Sequence, residues 1–214
     1  MSTIVIFGGT GYAGGNIARE AVKRGHTVVS YSRHAPSSPD EGVDYRIGSL
    51  TDEATVKAAL EGADELVIAV RGSDVDGQQL GDLVPALVAA AVAADVRLSF
   101  VGGAGSSLVS PDGPRLLDTP DFHEEWKPEA TAHARVLDAL RESPEELRWF
   151  YVSPAALFGS FAPGETLGTY RTNGDVLVTK EDGSSEISGT DFALAYVDEI
   201  EQSNHRRQRF TTGH

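Results

Sequence analysis

The run GGTGYAGG at residues 8–15 constrains this chain more than any other feature. Gly8, Gly11 and Gly14 recur at every third position where a short apolar segment, Thr3-Ile4-Val5-Ile6-Phe7, gives way to a segment of helical character over residues 12–24, stopped by Gly25. A β-branched apolar run bounded by glycines predicts a buried parallel strand. A chain that passes so abruptly from strand to helix needs Gly8 for the sharp turn and Gly14 for close helix–strand packing. Gly11 removes a Cβ where main chain can approach a phosphate, and the helix N-terminus supplies N–H donors to that anion. Gly9, Thr10, Tyr12 and Ala13 complete the candidate turn.

The next eighty residues repeat the pattern. Strands are expected at 27–31, 43–47, 65–70 and 97–101. Helices are expected at 51–60, opened by Thr51-Asp52-Glu53, and at 80–94. Helices of this length between strands imply right-handed crossovers and a doubly wound parallel sheet. The second half adds a helix at 129–142, a strand at 147–152, short strand candidates around Tyr170 and at 176–178, a helix opened by Ser188 and running to Glu201, and an edge strand at 209–211. No repeat, linker or low-complexity segment divides the 214 residues. The fold class is therefore α/β, Rossmann-like, in one domain. Residues 104–127 and 155–189 are expected to form a small cap over the carboxyl ends of the strands, where such sheets bind ligands.

That topology, with the glycine turn in place, points to a dinucleotide. The second strand ends in Ser32-Arg33, 19 residues after Gly14, where NAD-preferring sites carry an acid for the ribose 2′-hydroxyl. No acidic residue lies between Glu20 and Asp40, and an arginine suits a 2′-phosphate, with the Ser32 hydroxyl as a further donor. NADP(H) is thus expected in preference to NAD(H). Asp and Glu number 32 against 18 Lys and Arg, a net charge of −14, which argues against nucleic-acid and anionic-membrane partners. The one dense basic cluster, residues 205–209, reads as a solvated connection. With no cysteine there is no disulfide and no thiolate metal site. The N-terminus carries no leader-like segment, so a cytoplasmic protein is expected, monomer or homodimer.

Beyond the turn, VGGAGSSLVSPDG at 101–113, WFYVSPAALFGSFAPGETLGTYR at 149–171, SSEISGTDFALAYVDEIE at 184–201 and RFTTG at 209–213 add to the pattern. With GGTGYAGG they make the chain resemble, over nearly its whole length, the atypical short-chain dehydrogenase/reductase superfamily, in the NAD(P)H-flavin-reductase-like branch that borders NmrA-like and epimerase-like proteins. The resemblance implies further cofactor contacts. Ser49 and Leu50 would lie against the adenine, and Val70, Arg71 and Gly72 would line the ribose and pyrophosphate groove. Val101, Gly102 and Gly103 would approach the nicotinamide ribose, with Ser153 and Pro154 bordering the nicotinamide. Arg71 departs from the small neutral lining the resemblance would suggest.

Most of that superfamily protonates a carbonyl with a Tyr-x-x-x-Lys pair. None of the six tyrosines has a lysine four residues later. Glu129 and His133 stand where that pair would fall, one helical turn apart. Flavin and quinone acceptors take hydride by stacking and ask the protein mainly for orientation. An NADPH-dependent reductase of a planar acceptor (FMN, riboflavin, a quinone or a conjugated carbonyl) is the reading these residues suggest. By the resemblance His133 is the candidate proton relay, and Ser106, with Ser107, lies near the position of the superfamily's catalytic serine. Phe122, Trp126, Phe158, Phe161 and Tyr170 are candidates for an aromatic wall beside the acceptor. The acidic loop holding Asp118, Asp121, His123, Glu124 and Glu125 matches no metal-ligand spacing, and no metal is expected. The alternative is a non-catalytic NADP(H)-binding redox sensor of the NmrA-like kind, for which the missing Tyr–Lys pair means absence of turnover. A sugar-nucleotide epimerase or dehydratase is disfavoured by the same missing tyrosine.

Overall fold

The computed structural model describes residues 1–214. Eight strands form one sheet: β1 Thr3–Phe7, β2 Thr27–Ser32, β3 Val43–Ile47, β4 Glu65–Ile68, β5 Arg97–Val101, β6 Trp149–Ser153, β7 Arg171–Asn173 and β8 Gln208–Gly213. Their order is β3-β2-β1-β4-β5-β6-β8-β7, parallel except for the antiparallel β7–β8 pair. The helices are α1 Tyr12–Lys23, α2 Glu53–Leu60, α3 Leu80–Ala94, α4 Lys127–Arg141 and α5 Gly189–Gln202. The order reverses direction beside β1 and β4, and the glycine turn sits at that switch point, where α/β sheets open a crevice at their carboxyl ends.

Period-two alternation sends successive side chains to opposite faces of the sheet. Val5 and Phe7, Leu66 and Ile68, and Trp149 and Tyr151 pack with α2, α3 and α4. Ile4 and Ile6, Val67, and Phe150 and Val152 pack with α1 and α5. Asp52 caps α2 by accepting from the Ala54 and Thr55 N–H groups at 3.2 Å, and Ser188 caps α5 by accepting from Asp191 N at 3.0 Å. At the amino ends of the strands Arg97 is buried. It donates to the Glu199 carboxylate at 2.6 Å and lies 3.8 Å from Glu65. Burial outweighs this partner for Glu65 and pushes its carboxyl up to about 8.

Several expectations are corrected. β4 stops at Ile68 rather than at residue 70, because Ala69 N makes the last bond to β1, at Phe7 O, and β1 then turns away at Gly8. The strand at 209–211 is not an edge: β8 is longer and lies between β6 and β7, with Arg209 to Gly213 all buried. The strand expected at 176–178 reduces to a bridge between Val176 and Leu108. The basic cluster is not simply solvated. Arg209 is buried and donates to Asp175 at 2.8 Å and to the Ser107 and Ser153 hydroxyls at 2.8 and 3.3 Å. Arg207 reaches back to the carbonyls of Ser143 and Leu147 at 2.8 and 3.1 Å.

Residues 104–127 follow the carboxyl end of β5 as three short 3-10 turns, and residues 155–189 follow β6 with β7 as their only strand. The Leu108–Val176 bridge ties the two segments together. No helix is long and apolar enough to cross a membrane.

Candidate cofactor-binding groove

At the end of β1 the backbone of Gly8 has φ +94°, a region that side chains with a Cβ rarely adopt. A Cβ there would also collide with the Ala69 carbonyl, and one on Gly14 would strike the Gly8 carbonyl. At Gly11 it would meet only Gly8 O, at 3.2 Å. Gly8 and Gly14 are thus required by turn and packing, while Gly11 leaves its main chain open to the crevice. Gly11 is also the N-cap of α1. It offers no side-chain cap, and no acidic residue occupies the first turn. The N–H groups of Gly9, Thr10, Tyr12, Ala13 and Gly14 find no protein acceptor. Free donors at a positive helix end form a cradle for an anion, and a dinucleotide pyrophosphate fits it.

A groove of about 750 Å³ runs from this turn along the ends of β2, β3 and β4. It gathers the expected Gly8, Gly9, Thr10, Gly11, Ser32, Arg33, Ser49, Leu50, Val70 and Arg71. Arg19, Asp40, Asp74 and Asp76 also line it, and sequence reasoning assigned none of them a role. The Arg33 guanidinium meets Asp76 at 2.8 Å, and the Ser49 hydroxyl donates to the other Asp76 oxygen. These two partners hold the Asp76 carboxyl below the usual carboxylate range. Arg19 pairs with Asp40 at 3.1 Å. Arg71 makes no ion pair. Ser32 donates to the His34 carbonyl at 2.6 Å.

Tyr12, Ala13, Gly14, Gly72, Val101, Gly102, Gly103, Ser153, Pro154, His133 and Ser106 lie outside that groove. Tyr12 Oη accepts from Gly189 N at 2.9 Å and so joins α1 to α5. Gly102 packs on the Tyr151 ring, and the Tyr151 hydroxyl donates to His133 O at 3.0 Å. Burial pushes that phenol above its ordinary range, so it stays protonated. His133 is buried behind Gly72 and Gly103 rather than exposed on its helix. Its Nε2 meets Glu129 at 3.1 Å, and its Nδ1 has no partner. The Glu129 carboxylate also accepts from Gly72 N at 2.7 Å, Ser73 N at 3.0 Å and the Ser73 hydroxyl. Burial alone would raise the Glu129 carboxyl, but bonds from His133, Ser73 and Gly72 together carry it well below the carboxylate range. The Ser106 hydroxyl is buried without a partner, and Ser153 is committed to Arg209.

The aromatic candidates separate. Phe158 packs tilted against Phe192 and edge-on against Tyr12, Phe122 packs against the cluster of Leu117, Ala130 and Ala134, and Tyr170 donates to Asp198. These three serve packing, because their apolar neighbours lie on the protein side. Phe161 and Trp126 remain exposed. The signal for Asp76 was present in the sequence as Asp76-Gly77, a two-residue hairpin pair.

A family model described as NAD(P)H-binding matches residues 8–203. YwnB of Bacillus subtilis (strain 168) is 33% identical over 220 residues, covering 97% of this chain and 96% of its own length. Among solved structures, SP1627 of Streptococcus pneumoniae, described as a "putative NADH-flavin reductase", is 34% identical with a TM-score of 0.81, covering 100% of this chain and 99% of its own. A Burkholderia pseudomallei protein described as a "putative exported protein" is 38% identical, with a TM-score of 0.83 and full coverage of both chains. A family match over nearly the whole chain agrees with a glycine cradle at the switch point of a doubly wound sheet: the chain belongs to the NAD(P)H-binding family.

Proposed function

We propose that the protein is an NADPH-dependent reductase that hands hydride to a planar acceptor such as FMN, riboflavin, a quinone or a conjugated carbonyl, the flavin acting as substrate. The observation that carries this reading is the uncapped α1 N-terminus, whose free N–H groups lead along one groove to Arg33. When bound, the nicotinamide supplies the hydride. The chain's own residues bind and orient. Gly9, Thr10 and the first turn of α1 receive the diphosphate, Arg33 and Ser32 read the 2′-phosphate, and Ser49 and Leu50 border the adenine. Val70, Arg71 and Gly72 continue the groove. Val101, Gly102, Gly103, Ser153 and Pro154 back the nicotinamide end.

The Glu129–His133 pair stands at that end in place of a Tyr–Lys pair. Because Nε2 is occupied by Glu129, Nδ1 is the nitrogen free to hold or pass a proton. The segments 104–127 and 155–189, with exposed Trp126 and Phe161, form the acceptor-side cap of one domain. The likeness to SP1627, described as a "putative NADH-flavin reductase", supports oxidoreductase chemistry.

The test is NADPH oxidation with FMN, riboflavin and small quinones. Turnover that Arg33→Ala weakens mainly through the KM for NADPH is the expected result. Tight NADPH binding with no turnover on any acceptor would instead support the redox-sensor alternative.

A further inference from the structure

One ion pair in the groove is left unexplained by cofactor binding as proposed above. Arg33, the residue assigned there to the 2′-phosphate, is already held by a carboxylate. Asp76 Oδ1 stands 2.8 Å from its Nη1, and Asp76 Oδ2 accepts from the Ser49 hydroxyl. This carboxylate is not on a floppy loop. Asp76 and Gly77 have φ +52° and +83°, positive at both central positions of a two-residue hairpin. Val75 and Gln78 close it with reciprocal bonds of 2.7 and 3.1 Å, and Gly77 N donates to Asp74 at 2.8 Å. Val75 is buried beneath the turn, and Leu80 N bonds back to Gly72 O at 2.9 Å. The backbone therefore fixes where Asp76 points. It points across the end of the groove to Arg33 and Ser49.

We propose that Asp76 is a specificity-determining residue: a built-in carboxylate that occupies the 2′-phosphate position on Arg33 and narrows the discrimination between NADPH and NADH. The inference rests on the assignment of Arg33 to the cofactor's 2′ position. A 2′-phosphate brings about two negative charges to a locus that already holds one, and like charges at contact distance oppose binding. A ribose 2′-hydroxyl is the opposite case, since a carboxylate that accepts from the Ser49 hydroxyl is equally suited to accept from a ribose hydroxyl. The side chains of Arg33 and Asp76 are 61% and 30% exposed, so the pair is screened and a phosphate can take Arg33 from it. Asp76 tunes the site without closing it.

The experiment is calorimetric titration of the full-length protein with NADPH and NADH, and with 2′,5′-ADP and 5′-AMP as probes of the adenosine half alone. The variants are Asp76→Asn and Arg33→Ala. Asparagine keeps the hairpin, since Asn-Gly favours two positive-φ positions, and it removes the charge. Asp76→Asn is expected to raise the preference for NADPH over NADH about tenfold, by tightening NADPH and loosening NADH, with the same shift for 2′,5′-ADP over 5′-AMP. Ser49→Ala, which leaves the Asp76 charge in place and frees one of its oxygens for a ribose hydroxyl, is expected to move the ratio less and in the opposite direction. If Asp76→Asn leaves the ratio within about twofold of the parent while Arg33→Ala weakens NADPH, the inference about Asp76 is overturned and the assignment of Arg33 stands. If Arg33→Ala leaves NADPH binding unchanged, the assignment of Arg33 falls, and the inference with it.

Discussion

Glu129 and His133 face each other across one turn of α4 at 3.1 Å, and the same carboxylate clamps the main chain of Gly72 and Ser73 against that helix. One side chain thus fixes both the imidazole and the loop that leaves β4. Its hydrogen bonds favour the charged form, so the stability they contribute is present above the unfolded carboxyl value and is lost as pH falls through the lower folded one. Glu129→Gln is expected to cost about 1–2 kcal/mol at neutral pH. The gap between parent and variant should begin to narrow below about pH 4 and close only as pH approaches the lower folded value. Urea unfolding across that range measures it.

Glu65 has the opposite sign. Burial raises its folded value to about 8, so between the unfolded value of 4.5 and that point the native state holds a proton the unfolded chain has lost. Stability should fall with rising pH over this window, by up to about 1.4 kcal/mol per pH unit from this group alone, and level off above it. Glu65→Gln mimics the protonated form. It should match the parent near pH 5 and exceed it at pH 8 to 9, as read by denaturant midpoints.

The glycines of the turn should separate by readout. Gly14→Ala drives a methyl into the Gly8 carbonyl and is expected to destabilise the fold by about 2 kcal/mol or more. Gly11→Ala meets open space apart from one oxygen at 3.2 Å. It should leave the melting temperature nearly unchanged while weakening NADPH binding at least severalfold. A single set of thermal melts with and without NADPH distinguishes them.

Arg209→Met removes the buried cation that joins β8 to Ser153 at the end of β6 and to Ser107 in the segment after β5. Asp175, half exposed, can rehydrate, so the loss is chiefly that of the hydroxyl contacts, about 2 kcal/mol. Thermal unfolding checks the loss. Binding of 2′,5′-ADP, whose candidate site lies beside β1, β2 and β3 at the far end of the strand order, should be unaffected.

The parallel half of the fold was legible because β1, β2 and β4 are short runs rich in apolar and β-branched residues between glycine or polar punctuation, and because α1 opens at a glycine turn and α2 at the Asp52 cap. The C-terminal strand was misplaced for a reason local patterning cannot reveal. Its position between β6 and β7 depends on β7, three residues with no apolar alternation, crossing over to cover it. The glycine cradle was legible since it is built from consecutive residues. Asp76 was not assigned because its Asp-Gly pair announces a turn but not the turn's partner, Arg33, 43 positions earlier. Arg209 was misread because a charged cluster on sequence looks solvated until its hydroxyl partners, more than fifty residues away, are assembled around it.

The loop leaving β4 is fastened at two places. One end is pinned to α4 through Gly72 and Ser73, and its tip, three residues further on, touches Arg33 and Ser49. Fewer than ten residues thus join the Arg33–Ser49 corner of the crevice to the carboxylate that supports the His133 imidazole, so a substitution that opens the 75–78 hairpin loosens both.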